Sequence, residues 1–315
     1  MLPPVCVKAM RYLKAVAIIV IVLAIGFCVF PTKTWAQEGI RVWPTRVEIM
    51  VNRGQEAEKT INVYNQGSEP IRVSAYAMDF SIGRDGDFNF YEPGHESYSA
   101  SKWLNIEKAD FELAPGESKE VEVVVSAPAT VEPGGHYAAL FFEAVTSGNQ
   151  SAVSVSMRIP TLFYITIPGI TRANVIANAD ILSLQLPGIA ERGPVEMGVV
   201  VRNSGNVHLT VAARAHFAAS WGNASELDLG QMVILPSSDG VLKGEWQRSP
   251  LFGKVRASVV IGYLDQNGEL VNKSQVGEFW VVPWSLVGII LFVMGVVVPA
   301  IVIIGRRFRL RVERK

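Results

Sequence analysis

Apolar residues are distributed along this chain in two ways. Near each end they form an unbroken run, Ala15 to Phe30 and Trp284 to Gly305; between the runs they alternate with polar residues in short stretches. Alternation with period two, in stretches rich in β-branched residues, predicts strands. Such stretches fall at 46–52, 58–64, 71–78, 119–126, 137–145, 152–159 and 162–167. Turn chemistry separates them, as at Asn65-Gln66-Gly67-Ser68, Asp85-Gly86-Asp87 and Ala114-Pro115-Gly116-Glu117. Val121, Val123 and Val125 give one strand a consistently apolar face. A second series follows at 181–186, 195–202, 209–217, 231–235, 254–263 and 270–280, with Asn267-Gly268 as a strong hairpin signal. The motif Tyr64-Asn65-Gln66-Gly67 is echoed by Arg202-Asn203-Ser204-Gly205 at a second strand end. Helical periodicity over any length is absent from this middle region. The pattern predicts an all-β chain of two immunoglobulin-like antiparallel sandwiches, 37–169 and 170–282, divided at Pro168-Gly169.

The two apolar runs change that picture at its ends. Lys8, Arg11 and Lys14 precede the first run, and Thr34-Trp35-Ala36 follows it. A basic region, an apolar helix and a small-residue exit describe an export signal over 1–36. It is either cleaved after Ala36 or kept as a signal anchor. The second run has 22 residues and no charge. At 1.5 Å per residue it reaches roughly 33 Å, enough for a hydrocarbon core of about 30 Å. Trp280 and Trp284 suit an outer interface, and the tail 306–315, with six basic residues and one acidic, suits the cytoplasmic side. A single transmembrane helix is therefore expected over 283–305, with the bulk of the chain extracellular.

Charge agrees with this layout. The 315 residues carry 29 basic and 29 acidic groups. The first 36 residues hold four of the basic groups and no acid, and the tail holds six and one, so 37–305 carries 19 basic and 28 acidic residues, a net of −9. Zero is thus the sum of two basic membrane flanks and an acidic exterior, which argues against nucleic acid as a partner. The mean hydropathy of +0.26 is raised by the two runs. Both cysteines, Cys6 and Cys28, lie in the export segment, so the exterior has neither a disulfide nor a cysteine ligand for metal, a usage that leans toward a bacterial surface.

Signatures of catalysis are missing: no G-x-S-x-G elbow, no H-E-x-x-H, no phosphate-binding loop and no dinucleotide fingerprint. A non-enzyme without a cofactor is expected. His208 and His216 stand eight apart, too far along one strand to share an ion. A loop with oxygen ligands at Asp85, Asp87, Asn89 and Glu92 is a weak calcium candidate, because Phe90 stands where a calcium loop of the EF-hand type needs glycine. The aromatic residues Phe88, Phe90, Tyr91, Tyr98 and Trp103 lie among acids and amides and are candidates for stacking on sugar rings. The plainer reading has the same rings capping the core beneath a long connection.

Three places in the first sandwich carry a family resemblance. Trp43-Pro44-Thr45-Arg46-Val47-Glu48 opens a strand, and 59–67, from Lys59 to Gly67, forms the next strand and turn. The segment 111–121, continuing to Ala127-Pro128 and Gly134-Gly135-His136-Tyr137, gives the late strands. Together they resemble the WxL-interacting proteins of Gram-positive bacteria. That resemblance implies an export signal, an immunoglobulin-like peptidoglycan-binding domain, a second β-domain, one membrane helix and a basic tail. It also implies a membrane-anchored surface protein that holds cell-wall polymer or another surface protein. The alternative is an envelope assembly chaperone or structural subunit that holds client strands on a sandwich edge.

Overall fold

The computed structural model describes residues 39–146, 156–169, 175–191, 193–220, 224–247 and 250–307. The expected export signal and the tail beyond 307 lie outside the described residues. The first half of the chain builds two facing sheets. One has the order β1 (Ile40–Trp43), β3 (Glu56–Asn65), β8 (Ser118–Ser126), β6 (Leu104–Ile106). The other has the order β2 (Arg46–Met50), β10 (Ser156–Ile167), β9 (Gly134–Thr146), β4 (Ile71–Ile82), β5 (Phe88–Tyr91), with β7 (Asp110–Leu113) also pairing β4. The chain leaves the first sheet for the second through a cis Trp43–Pro44 peptide bond.

The second half repeats the scheme with a three-stranded and a five-stranded sheet. The first is β11 (Ala179–Gln185), β13 (Val195–Asn203), β16 (Asp239–Trp246). The second is β12 (Ile189–Ala190), β18 (Leu270–Val281), β17 (Gly253–Leu264), β14 (Leu209–Ala219), β15 (Ser225–Ile234). Pairing is antiparallel except for β2 on β10 and β12 on β18. Both halves are sandwich-like, and each has its own core. Val121, Val123 and Val125 of β8 face Phe142, Phe163 and Ile165 of the opposite sheet within one buried cluster. Val211, Ala213, Ala215 and Phe217 of β14, with Val255 to Ile261 in alternation on β17, fill the other. The period of two in the sequence is the period of burial, because successive strand side chains point to opposite faces.

Two departures from the sequence pattern have physical causes. The stretches 152–159 and 162–167 continue into one another as β10, with Pro160 inside the strand. Leu162 N–H donates to Thr45 O on the β2 side, and alternation then turns the backbone of Pro160 to that same side, where no ladder bond is needed. Strand β16 carries no clear alternation because Gly240 and Gly244 interrupt it. A Cβ at Gly244 would lie 2.6 Å from Leu229 Cδ2, so bare backbone is what lets this strand lie against the side chains of β15.

A third buried cluster joins the halves. Phe80, Tyr137, Phe141 and Tyr164, on the outer face of the six-stranded sheet, pack with Leu235 and the half-buried Val233 of the second half. Gly135 N–H donates to Asn206 O at 2.7 Å, Val241 N–H to Arg84 O at 2.8 Å, and Asn206 Nδ2 to Pro133 O at 3.2 Å. Strand β18 runs almost directly into helix α1 (Trp284–Phe292), which continues through a π-helical turn (Val293–Val297) into α2 (Val298–Arg307). The 21 residues Trp284–Ile304 form one helix long and apolar enough to cross a membrane.

Candidate functional site

Among the described residues, a groove of about 550 Å³ lies at one end of the outer face of the six-stranded sheet. Strand β5 forms one wall because it hydrogen-bonds to the far end of β4, Phe90 opposite Phe80 and Phe88 opposite Ile82. Phe141 of β9 forms the floor, with its ring 4.8 Å from Phe90, edge to face, and 5.7 Å from Tyr76, stacked. Arg158 and Pro160 of β10 close the opposite side. The Arg158 guanidinium lies 5.6 Å over the Phe141 ring and donates to the Tyr76 hydroxyl at 3.3 Å. Glu143 accepts from Ser156 Oγ at 2.6 Å and from Tyr76 at 3.0 Å, and these bonds hold its carboxyl below the usual carboxylate value. The groove is thus an aromatic trough with a charged lip.

Its lip is half of a strand edge. Strand β10 pairs with β9 along its whole length, from Ser156 opposite Val145 to Ile167 opposite Gly134. On its other side β2 covers only Leu162 to Thr166. Ahead of Arg46 the chain has crossed to the other sheet, where β1 still packs against β10 with Gly39 beside Met157, and among the described residues no strand pairs with 156–160 in the β2 position. By the parity fixed at Leu162, the backbone groups of Ser156 and Arg158 face this open side. Met157 and Ile159 are half-buried against the core, and exposed Trp43 stands at the crossover, with Thr161 Oγ1 donating to Pro44 O at 2.9 Å.

Of the five aromatic candidates, Phe88, Phe90 and Tyr91 line this groove. Tyr98 and Trp103 do not. Tyr98 packs edge-on against Tyr137 at 5.3 Å, and burial together with Glu96 pushes its phenol up to about 12. Trp103 lies 4.7 Å from the His136 ring, against the core between the first two sheets. One sugar-stacking platform of five rings is therefore not what the fold builds. The calcium candidate is likewise taken apart. Asp85 bridges to Lys243 at 2.5 Å, a contact that also lowers its carboxyl pKa, while Asn89 lies on the extended strand β5 and Asp87 and Glu92 flank its two ends. Among the described residues no three of His, Cys, Asp or Glu come together to hold a metal.

Two other features were not read from the sequence. Asp79 is fully buried beneath the 93–101 segment and accepts from Gly94 N–H at 2.9 Å, Glu96 N–H at 3.0 Å and Ser99 Oγ at 2.5 Å. Burial raises its pKa, but the bonds from Ser101, Ser99 and the two backbone amides outweigh that and hold the carboxyl below its ordinary value. His208 sits at the junction of the halves, 4.6 Å from the Tyr164 ring and 5.7 Å from Tyr137. Desolvation pushes its pKa down to about 4, so it is neutral at physiological pH. A cation in this place is already supplied by Arg46, 4.3 Å over Tyr164 and paired with Glu48 at 2.7 Å. His216, by contrast, is exposed on β14 beside Glu226.

Neither a protein-family model nor a curated protein matches this chain. Among solved structures it is similar to the class 5 fimbriae chaperone CfaA, with 15% identity and a TM-score of 0.39 over 78% of this chain and 100% of that one. The YadV chaperone is similar at 13% identity and a TM-score of 0.41, over 76% of this chain and 99% of that one. The Pseudomonas aeruginosa CupB2 chaperone is similar at 12% and 0.37, over 75% and 99%. These findings correct the expectation that the chain holds cell-wall polymer: the similar structures are fimbrial chaperones, and the aromatic residues offered for sugar stacking are split between a groove and a core.

Proposed function

We propose that this protein holds an extended segment of a partner protein against the free half of β10, as an envelope assembly chaperone or a structural subunit of an envelope machine. One observation carries the reading: among the described residues, 156–160 pairs with β9 on one side and with no strand on the other, in line with β2. A guest strand there gains main-chain bonds to Ser156 and Arg158, and its side chains on the groove side reach the Phe90–Phe141 trough. Pro160 limits how far the guest can pair, because it offers a carbonyl but no N–H. Each pair of sheets, 37–169 and 170–282, is read as an immunoglobulin-like domain. Helix Trp284–Ile304 is read as a single membrane anchor that leaves both domains on the non-cytoplasmic side. The likeness to WxL-interacting proteins is kept as a proposal for a protein partner, supported by the motifs between 43 and 140 and by the anchor. No chemistry is assigned to the chain.

The proline variants Ser156→Pro and Arg158→Pro test this reading. Both replace N–H groups that face the open side, so the β9 ladder keeps its bonds. The expected result is a thermal midpoint within a few degrees of wild type for a domain of this size, with loss of the partner protein that wild type co-purifies from wall-digested membranes. Undiminished co-purification by a folded Arg158→Pro variant rejects the edge as the site.

A further inference from the structure

We infer that the end of the second half nearest helix α1 is itself a membrane-contact surface, with Ile189, Leu251, Phe252 and Trp280 seated in the interfacial layer of the bilayer that Trp284 enters. The inference rests on reading Trp284–Ile304 as a membrane span. It extends that reading from one helix to residues more than 90 positions apart in the chain, which the topology brings together.

The register places them. Gly253 is opposite Val281 and Lys254 opposite Trp280, so Phe252 and Leu251 project one and two residues past the last pair, in the direction of the helix. Ile189 and Ala190 pair with Trp280 and Val281 on the other side of β18. Only Val282 and Pro283 separate β18 from α1. These two residues are not a loose tether: Val282 N–H donates to Ala190 O at 2.9 Å, and Val287 N–H donates to Pro283 O at 3.0 Å. Position relative to the bilayer is therefore fixed by the ladder, and with it the height of the neighbouring loops.

Chemistry fits the same surface. Ile189, Leu251, Phe252, Trp280 and Trp284 are each more than half exposed. Large side chains of this kind lose little in water when scattered, but five at one end of a sandwich form a patch that calls for a partner. Tryptophan favours the headgroup layer, where the ring is in an apolar medium and the indole N–H still finds acceptors. Charge on the adjoining strands is paired within the sheet. Glu278 pairs with both Lys254 at 2.5 Å and Arg256 at 3.3 Å, which leaves these three groups with a net single positive charge. The opposite end of the same hairpin is the polar turn Asp265-Gln266-Asn267-Gly268, a strand length away.

Depth-dependent quenching tests this directly. The full chain, with Cys6 and Cys28 replaced by serine, takes a single cysteine at Phe252, Ile189, Gln266 or Ile301, labelled with an environment-sensitive fluorophore in phosphatidylglycerol-containing vesicles. Quencher lipids carry the spin label near the headgroup or deep in the acyl chain. Labels at 252 and 189 are expected to be quenched about twofold by the shallow quencher, the depth of an interfacial contact, whereas 266 stays unquenched. Ile301 reports the span separately and should respond to the quenchers. Quenching at 301 with none at 252 and 189 overturns the contact surface while leaving the anchor. No quenching at 301 overturns the span, and the inference with it.

Discussion

Asn65 and Asn203 perform the same task at equivalent places. Each is fully buried at the end of a strand, accepts from the N–H of the glycine two residues on at 2.9 Å, and donates to two carbonyls. For Asn65 these are Glu69 O at 2.8 Å and Leu113 O at 3.1 Å; for Asn203, Val207 O at 2.8 Å and Ile234 O at 2.9 Å. One amide thus ties a turn to itself and to the neighbouring strand. The repeat of Asn-x-Gly was visible in the sequence, but the partners were not, because Leu113 and Ile234 lie 48 and 31 residues away. Asn203→Ala leaves buried groups unsatisfied and is expected to cost about 2–4 kcal/mol in denaturant unfolding. Asn203→Asp should not restore it, since a carboxylate cannot donate. Asp79 escaped sequence reading for the opposite reason: it is an ordinary acid in a strand, and only the fold sets the serine hydroxyls and backbone amides around it. His208 gives a pH signature. Its folded pKa of about 4 lies below the unfolded value of about 6.5, so the unfolded chain binds more protons between the two. Stability is full above pH 6.5 and falls as pH drops toward 4. His136, also lowered by burial, adds to the same trend. Unfolding midpoints at pH 7 and pH 5 should differ less for His208→Phe than for wild type; an equal difference removes His208 from the explanation.

At the scale of elements, strands with one buried and one wet face were legible and the others were not. Strand β14 alternates without a break, and β8 places its three valines inward, as their spacing predicts. Strand β5 reads as an aromatic loop because both of its faces carry rings, Phe88 and Phe90 on one, Tyr91 on the other. Strand β16 is hidden by its glycines. The cost of refilling it follows: Gly244→Val drives side-chain atoms into Leu229 and Leu227, and is expected to destabilise by about 1–3 kcal/mol in denaturant unfolding. An unchanged midpoint would mean that β15 and β16 are not packed this closely. The groove shares this difficulty. Phe88, Phe90 and Tyr91 were identifiable as candidates from composition, but Phe141, Arg158 and Pro160 come from two other strands and join them only through register.

The molecule as a whole combines a packed junction between its halves, a strand edge paired over only part of its length and a long apolar helix. Phe80, Tyr137 and Tyr164 pack the outer face of the six-stranded sheet against Leu235 at one end, and among the described residues the other end, beside 156–160, is left as the groove. Among the described residues the edge is unpaired there because β2 starts late: the chain spends Ile40–Trp43 in the opposite sheet before crossing. Site-specific photo-crosslinking measures most directly whether that vacancy is where a partner sits. A benzophenone amino acid in place of Arg158 would be irradiated in intact cells, and the walls digested before adducts are identified by mass spectrometry. An adduct to an extended segment of another exported protein is the predicted result, with none from the same probe at Glu122 on the outer face of β8. Adducts only to saccharide, or equal protein adducts from both positions, would contradict strand capture at β10.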